Sequence, residues 1–157
     1  MLKIRTILHP TDFSNYSEFA FHTACALARD YKARLILLHV KPTTTVLYGE
    51  FGAMPPEPPE LYHDLEEKLA SMKPAGITVE RKLVEGDVPA EIIRLAEEFA
   101  CDMVVMGTHG RTGLGRLLMG SVAEQVVRKC ACPVLTLKHP MPQTEAVESA
   151  ETATASA

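Results

Sequence analysis

Apolar and polar positions alternate in blocks along the chain, and the period changes from block to block. Short apolar runs of strand length stand at 4–8 (Ile-Arg-Thr-Ile-Leu), 35–40 (Leu-Ile-Leu-Leu-His-Val), 103–106 (Met-Val-Val-Met) and 133–137 (Pro-Val-Leu-Thr-Leu). The run at 35–40 is apolar on both faces, the mark of a strand covered by helices above and below. Residues 77–84 alternate instead and read as a strand nearer a sheet edge. Between these runs the spacing is helical. It shows at Ala20, Ala24, Leu27, Ala28 and Tyr31, then at Leu61, Leu65, Leu69 and Met72, where Asp64 and Lys68 are placed to pair on the outer face. It shows again at Ile92, Ile93, Ala96, Phe99 and Ala100, and from Val122 to Cys130.

The punctuation agrees. Pro10 stops the first strand, and Asp12 or Ser14 can cap the helix after it. Gly86-Asp87-Val88-Pro89 supplies a turn, an N-cap and a first-turn proline, and Pro74-Ala75-Gly76 ends the second helix. Strand and helix therefore alternate throughout. This predicts an α/β domain of Rossmann-like class: a doubly wound, five-stranded parallel sheet with helices on both faces. Ligands in such sheets sit beyond the carboxyl ends of the strands, where strand order reverses. Two turns are suited to that place, Pro10-Thr11-Asp12 and the segment from Gly107 onward. The pattern alone leaves open whether they are neighbours.

Two stretches break the rhythm. Residues 41–59 carry Pro42, Gly49, Gly52, Pro55, Pro56, Pro58 and Pro59, which forbid a long helix or central strand. A loop this long is either functional or mobile. Residues 139–157, rich in Ala, Thr, Ser, Glu and Pro, have almost nothing to bury and are expected to be a disordered tail behind a folded domain at 1–138.

The candidate chemistry lies between the fourth strand and the last helix, in Gly107-Thr-His-Gly110-Arg-Thr-Gly-Leu-Gly-Arg-Leu-Leu-Met-Gly120-Ser121. A glycine-punctuated loop that leaves a strand and enters a helix presents free backbone N–H groups at the positive end of the helix dipole, where a phosphate binds. The loop holds Arg111 and Arg116 and no acid, and Ser121 can cap the helix or donate to a phosphate oxygen. It has no lysine and so is not a P-loop; Gly113-x-Gly115 is followed by Leu118, not the third glycine of a dinucleotide fingerprint. Gly113 and Gly115 read as turn residues.

Charge narrows the partner. The net charge is −4, with pI about 5.9. The tail holds three of the acids and no Lys or Arg, so the rest is close to neutral. A local positive loop on such a chain suits a small anion, not a nucleic acid or an anionic membrane. The first ten residues do not resemble a secretory signal, and no apolar run approaches a membrane span. A cytoplasmic setting with free thiols is the expectation for Cys25, Cys101, Cys130 and Cys132. Cys130-x-Cys132 reads as small residues packed at a helix end rather than a zinc site, and His22, His39 and His63 read as structural.

These residues together resemble the universal stress protein family. Its nucleotide-binding branch carries G-x2-G-x9-G-[ST] after the fourth strand, and Gly107, Gly110, Gly120 and Ser121 match that spacing. Pro10-Thr11-Asp12-Phe13-Ser14, Leu38-His39-Val40 and Cys132-Pro133-Val134-Leu135 resemble its first loop, second strand end and last strand. The resemblance spans about residues 2–138 and implies strand order 3-2-1-4-5. It implies ATP, ADP or AMP as ligand, with Mg2+ able to accompany the nucleotide. Pro10, Thr11 and Met106 would line the site, Asp12 would meet ribose or adenine, and Val40 would meet adenine. Gly107, His109, Gly110 and Arg111 would flank the phosphates on one side, and Gly120, Ser121 and Val122 on the other. Each has a plainer role open to it: Asp12 as a helix cap, His109 as a solvated loop residue, Ser121 as an N-cap. The resemblance further implies a homodimer through the last strand and a stress-response sensor or regulator read by a downstream protein. The alternative is a slow ATP-hydrolysing enzyme, but no S-G-G-x-D-S or H-x-G-H motif is present and Asp12 is the one acid near the site.

Overall fold

The computed structural model describes residues 2–43, 59–109 and 119–138. Five strands form one parallel sheet: β1 (Thr6–Pro10), β2 (Arg34–Pro42), β3 (Val79–Gly86), β4 (Met103–Gly107) and β5 (Val134–Leu137). Their order is β3-β2-β1-β4-β5. The alternating 77–84 segment thus becomes an edge strand, and β1 lies at the centre. Among the described residues four helices connect them: α1 (Asn15–Tyr31), α2 (Pro59–Ser71), α3 (Val88–Glu98) and α4 (Ser121–Lys129). The domain and tail boundaries expected at 138 and 139 remain a proposal, because residues 139–157 lie outside the described residues.

Side-chain alternation in the strands builds two cores. Leu8, Ile36, Leu38, Val104 and Met106 pack with Ile92, Leu95 and Ala96 of α3 and Ala123 and Val126 of α4. Ile7, Leu35, Leu37 and Val105 pack on the other face with Ala24, Cys25 and Ala28 of α1 and Leu69 of α2. Leu35 to Leu38 have no exposed surface at all, which explains their unbroken apolar run. Each such side chain contributes about 1.5–3 kcal/mol by burial.

Several expectations shift at their edges. Lys41 and Pro42 belong to β2, and Pro59 opens α2, so the broken stretch is shorter than 41–59. Lys41 continues the strand because its ammonium finds Tyr62 Oη at 3.2 Å and the Tyr62 ring beneath it. Tyr31, the last residue of the helical spacing, is exposed at the end of α1, where Lys32 turns the chain at φ 54°. Lys68 lies over the Phe13 ring instead of pairing with Asp64, and the side chains in contact along α2 are His63 and Glu67, 3.2 Å apart. Cys130 and Cys132 pack against the α3/α4 core, with their sulfurs 3.5 Å apart.

The centre of the sheet has a fork. β1 pairs with β2 as far as Pro10↔Leu38, and β4 pairs with β5 as far as Gly107↔Leu137. β1 and β4 pair only at Ile7↔Met103 and Leu8↔Val104. Past these the two strands part. The buried imidazole of His9 spans the gap: its Nδ1–H donates to the Val105 carbonyl at 2.8 Å. The Phe21 ring lies 5.7 Å away, and His9 Nε2 is buried without a hydrogen-bond partner. Desolvation dominates this group and lowers its pKa to about 4.

That depression fixes a pH dependence. The unfolded imidazole titrates near 6.5 and the folded one near 4, so below pH 6.5 the unfolded chain takes up the proton first. Stability is complete above pH 6.5 and is lost as pH falls toward 4. Urea melts are expected to lose about 2 kcal/mol from this residue between pH 7 and pH 5. His9→Gln removes that component; a loss of the same size in the variant would assign it elsewhere.

Candidate functional site

The fork opens into a crevice of about 320 Å³ at the carboxyl ends of β1 and β4. This size lies at the low end of small-molecule sites, which run to about 1,000 Å³. β1 and β4 are neighbours in the sheet, so the two suspected turns face each other across it. Pro10, Thr11, Asp12, Val40, Met106, Gly107, His109, Gly120, Ser121 and Val122 all line this space. Gly110 and Arg111 lie outside the described residues, as do Gly113, Gly115 and Arg116.

The β1 side is a tightly bonded turn. Asp12 Oδ1 accepts from the Ser14 amide at 3.0 Å and from the Ser14 hydroxyl at 2.5 Å. Ser14 is itself the N-cap of α1, accepting from the Ser17 amide at 3.3 Å. The two candidate caps therefore work in series. Thr11 Oγ1 accepts from the Phe13 amide and shares a hydrogen bond with Ser17 Oγ, each at 3.0 Å. This compact turn holds Phe13 at φ 62°, a costly backbone for a non-glycine residue. The ring of Phe13 stacks 4.6 Å from that of His39, whose Nδ1 bonds the Thr11 carbonyl at 2.7 Å. His39 thus has the structural role expected of it and also faces the crevice.

The β4 side depends on two close approaches. A Cβ on Gly107 would stand 3.0 Å from the Tyr16 carbonyl oxygen, so glycine lets α1 close over the end of β4. A Cβ on Gly120 would meet the Thr108 oxygen at 3.1 Å, and the Gly120 amide donates to that same oxygen at 2.7 Å. Both ends of the glycine loop are thereby pinned together. Thr108 is buried, and its amide donates to the Leu137 carbonyl at 2.9 Å. His109 lies beside the Tyr16 ring, 5.8 Å between centroids.

Gly120, not Ser121, is the N-cap of α4, and no side chain caps this helix. Ser121 is its first residue and is exposed. Ser121, Val122 and Ala123 of its first turn line the crevice, and the amides of a first turn have no partner within a helix and lie at the positive end of its dipole. The apolar lining of the crevice comes from Val40, Val88, Ile92 and Met106, together with Val122 and Ala123 of α4 itself. Val88, Ile92, Ala123, Thr108, Ser17, Pro42 and His39 were not among the residues expected at the site. Ile92 carried a signal only as part of a buried helix face; its contact with the crevice follows from α3 packing against α4. The crevice therefore combines an apolar slot, a carboxylate at one rim and an uncapped helix start at the other. Among the described residues no group of three His, Cys, Asp or Glu side chains could hold a metal ion, and no helix is long and apolar enough to cross a membrane.

A five-stranded parallel sheet with its crevice at the point of strand reversal defines a Rossmann-like α/β protein. The sequence profile of the universal stress protein family matches residues 3–138, and the chain belongs to that family. Universal stress protein MJ0531 of Methanocaldococcus jannaschii is 35% identical over 146 residues, covering 87% of this chain and 83% of its own. The solved structure of protein MJ0577, from the same organism, superimposes with a TM-score of 0.68 at 30% identity, over 88% of this chain and 99% of that one. A universal stress protein solved in complex with cAMP superimposes with a TM-score of 0.64 at 28% identity, over 87% and 98%.

Proposed function

We propose that the crevice holds an adenine nucleotide and that its occupancy, not its turnover, is the function: a stress-response sensor or regulator. The observation that carries this reading is the uncapped start of α4 opening into an apolar-walled crevice. An adenine ring needs apolar walls and a few fixed polar groups; phosphates need amide donors and positive potential. The cAMP complex of a related protein supports the choice of adenine.

In this reading Val40 and Met106 pack against the base, with Pro10 and Thr11 closing its edge. Asp12 receives a ribose hydroxyl. The amides at Ser121 and Val122, with the Ser121 hydroxyl, bind phosphate oxygens from one side, and Gly120, whose own amide is held by the Thr108 carbonyl, lets the backbone come close to them. Gly107 and His109 approach from the other, joined by Gly110 and Arg111. Any Mg2+ arrives with the phosphates and is held chiefly by them. Asp12 Oδ1 already accepts two hydrogen bonds from Ser14, which ties that oxygen to the turn and argues against its serving as a catalytic base. Occupancy would join the 11–14 turn to the start of α4 through the ligand, a surface that a cytoplasmic partner could read. The β5 edge has unpaired backbone groups on one side and is proposed to pair with a second copy.

AMP, ADP and ATP, with and without Mg2+, are to be compared in thermal unfolding. A ligand at a hundred times its Kd is expected to raise Tm by on the order of 5 °C. Ser121→Ala weakens binding by a few-fold, in line with about 0.5–1.5 kcal/mol for one hydrogen bond, and Gly120→Val abolishes the shift. No shift with any of the three would contradict nucleotide binding, while multiple turnovers of labelled ATP, lost in Asp12→Ala, would make the protein an enzyme. Light scattering is expected to give twice the 17.2 kDa chain mass, and a monomer at micromolar concentration would remove the paired edge.

A further inference from the structure

A second cavity, of about 640 Å³, lies between α1 and the end of α2 on the opposite side of the 11–17 turn. Its partition from the crevice is the Thr11–Ser17 hydroxyl pair, whose two residues line both spaces. Its apolar surfaces come from Phe13, Phe21, Cys25 and Met72, which pack against the α1/α2 core. Its exposed rim carries Arg29, Lys68 and Lys73 against one acid, Glu18. Among the described residues none of these three cations has a carboxylate within ion-pair distance. The Arg29 charge reaches the cavity wall: burial pushes the Cys25 thiol up, and Arg29 pulls it partly back. A chain that is acidic overall thus gathers three cations around an apolar hollow.

We propose that this cavity is a second ligand site, for a small amphipathic anion with a carboxylate or phosphate head on an apolar body. The apolar body fills the space between Phe13, Phe21, Cys25 and Met72, and the head lies at the cationic rim. Burying an apolar chain there removes it from water, while the head keeps one side in solvent and meets two or three cations at once. The opposite polarity, a cationic amphiphile, would face uncompensated like charge. The site stands whether or not the crevice takes a nucleotide, since none of its rim cations lines the crevice.

The test follows 1H–15N spectra of the full chain titrated with decanoate, decyl phosphate, decanol and decyltrimethylammonium, each below its micelle threshold. Decanoate or decyl phosphate is expected to give saturable shifts at Phe13, Phe21, Cys25 and Met72, and their ranking identifies the head group. Decanol binds about tenfold more weakly, and the cation gives no saturable shifts. The triple variant Arg29→Gln, Lys68→Gln, Lys73→Gln weakens decanoate about tenfold, and Ser71→Trp, at the exposed edge of the cavity, blocks it. Equal binding of decanol or the cation, shifts that never saturate, or full affinity in both variants would overturn the site.

Discussion

The parting of β1 from β4 is the constraint on which the rest depends. A parallel sheet gains most by continuing its ladder, yet this ladder stops after Leu8 and Val104 while both outer ladders run on. The backbone groups released at the fork must find other partners. Val105 finds His9 across the fork, while the outer ladders carry on, with Thr11 donating to the Leu38 carbonyl and Thr108 to that of Leu137. From the α1 side, the backbone at Tyr16 closes against Gly107. From the α3/α4 side it stays open among the described residues, and the crevice is what remains.

Two consequences follow for function. The 11–17 turn on the β1 rim is braced because its polar groups are satisfied within the turn, as Asp12, Ser14, Thr11 and Ser17 show. The start of α4 is the exception: its cap is a glycine with no side chain to offer. A site with a satisfied rim on one side and the start of a helix on the other suits an anion. Holding one is a smaller demand than reacting it, and the donors here are main-chain amides rather than groups poised to move protons. The second cavity uses the same turn from behind, so a single short segment borders both spaces.

The fold was legible because a central parallel strand buries both faces and so leaves an apolar run, as at Leu35 to Leu38. The neighbourhood of the first and fourth strands was not a property of pattern; it came from the family resemblance and is seen in the strand order. The site glycines were legible as glycines, but their reasons were not. Gly107 answers to a carbonyl on α1, and Gly120 to the oxygen of Thr108 twelve positions earlier. Helix capping was readable to within one residue: Ser14 and Asp87 cap as expected, but the cap of α4 is Gly120, one position before Ser121. Contacts made across the chain left no local trace. His9 reaches Val105, and Asp102 accepts from the amides of Arg5 and Thr6 at 2.7 and 3.0 Å, fixing the start of β1 from the approach to β4. Neither could be found from residue spacing, because the partners lie about a hundred positions apart in sequence.

Chemical-shift mapping with ADP tests nucleotide binding at the fork most directly. The largest saturable amide shifts are predicted at Ser121, Val122 and Ala123, with a second group at Thr11, Asp12 and Val40. Saturable shifts confined to residues away from the fork, or none at millimolar ADP, would contradict it.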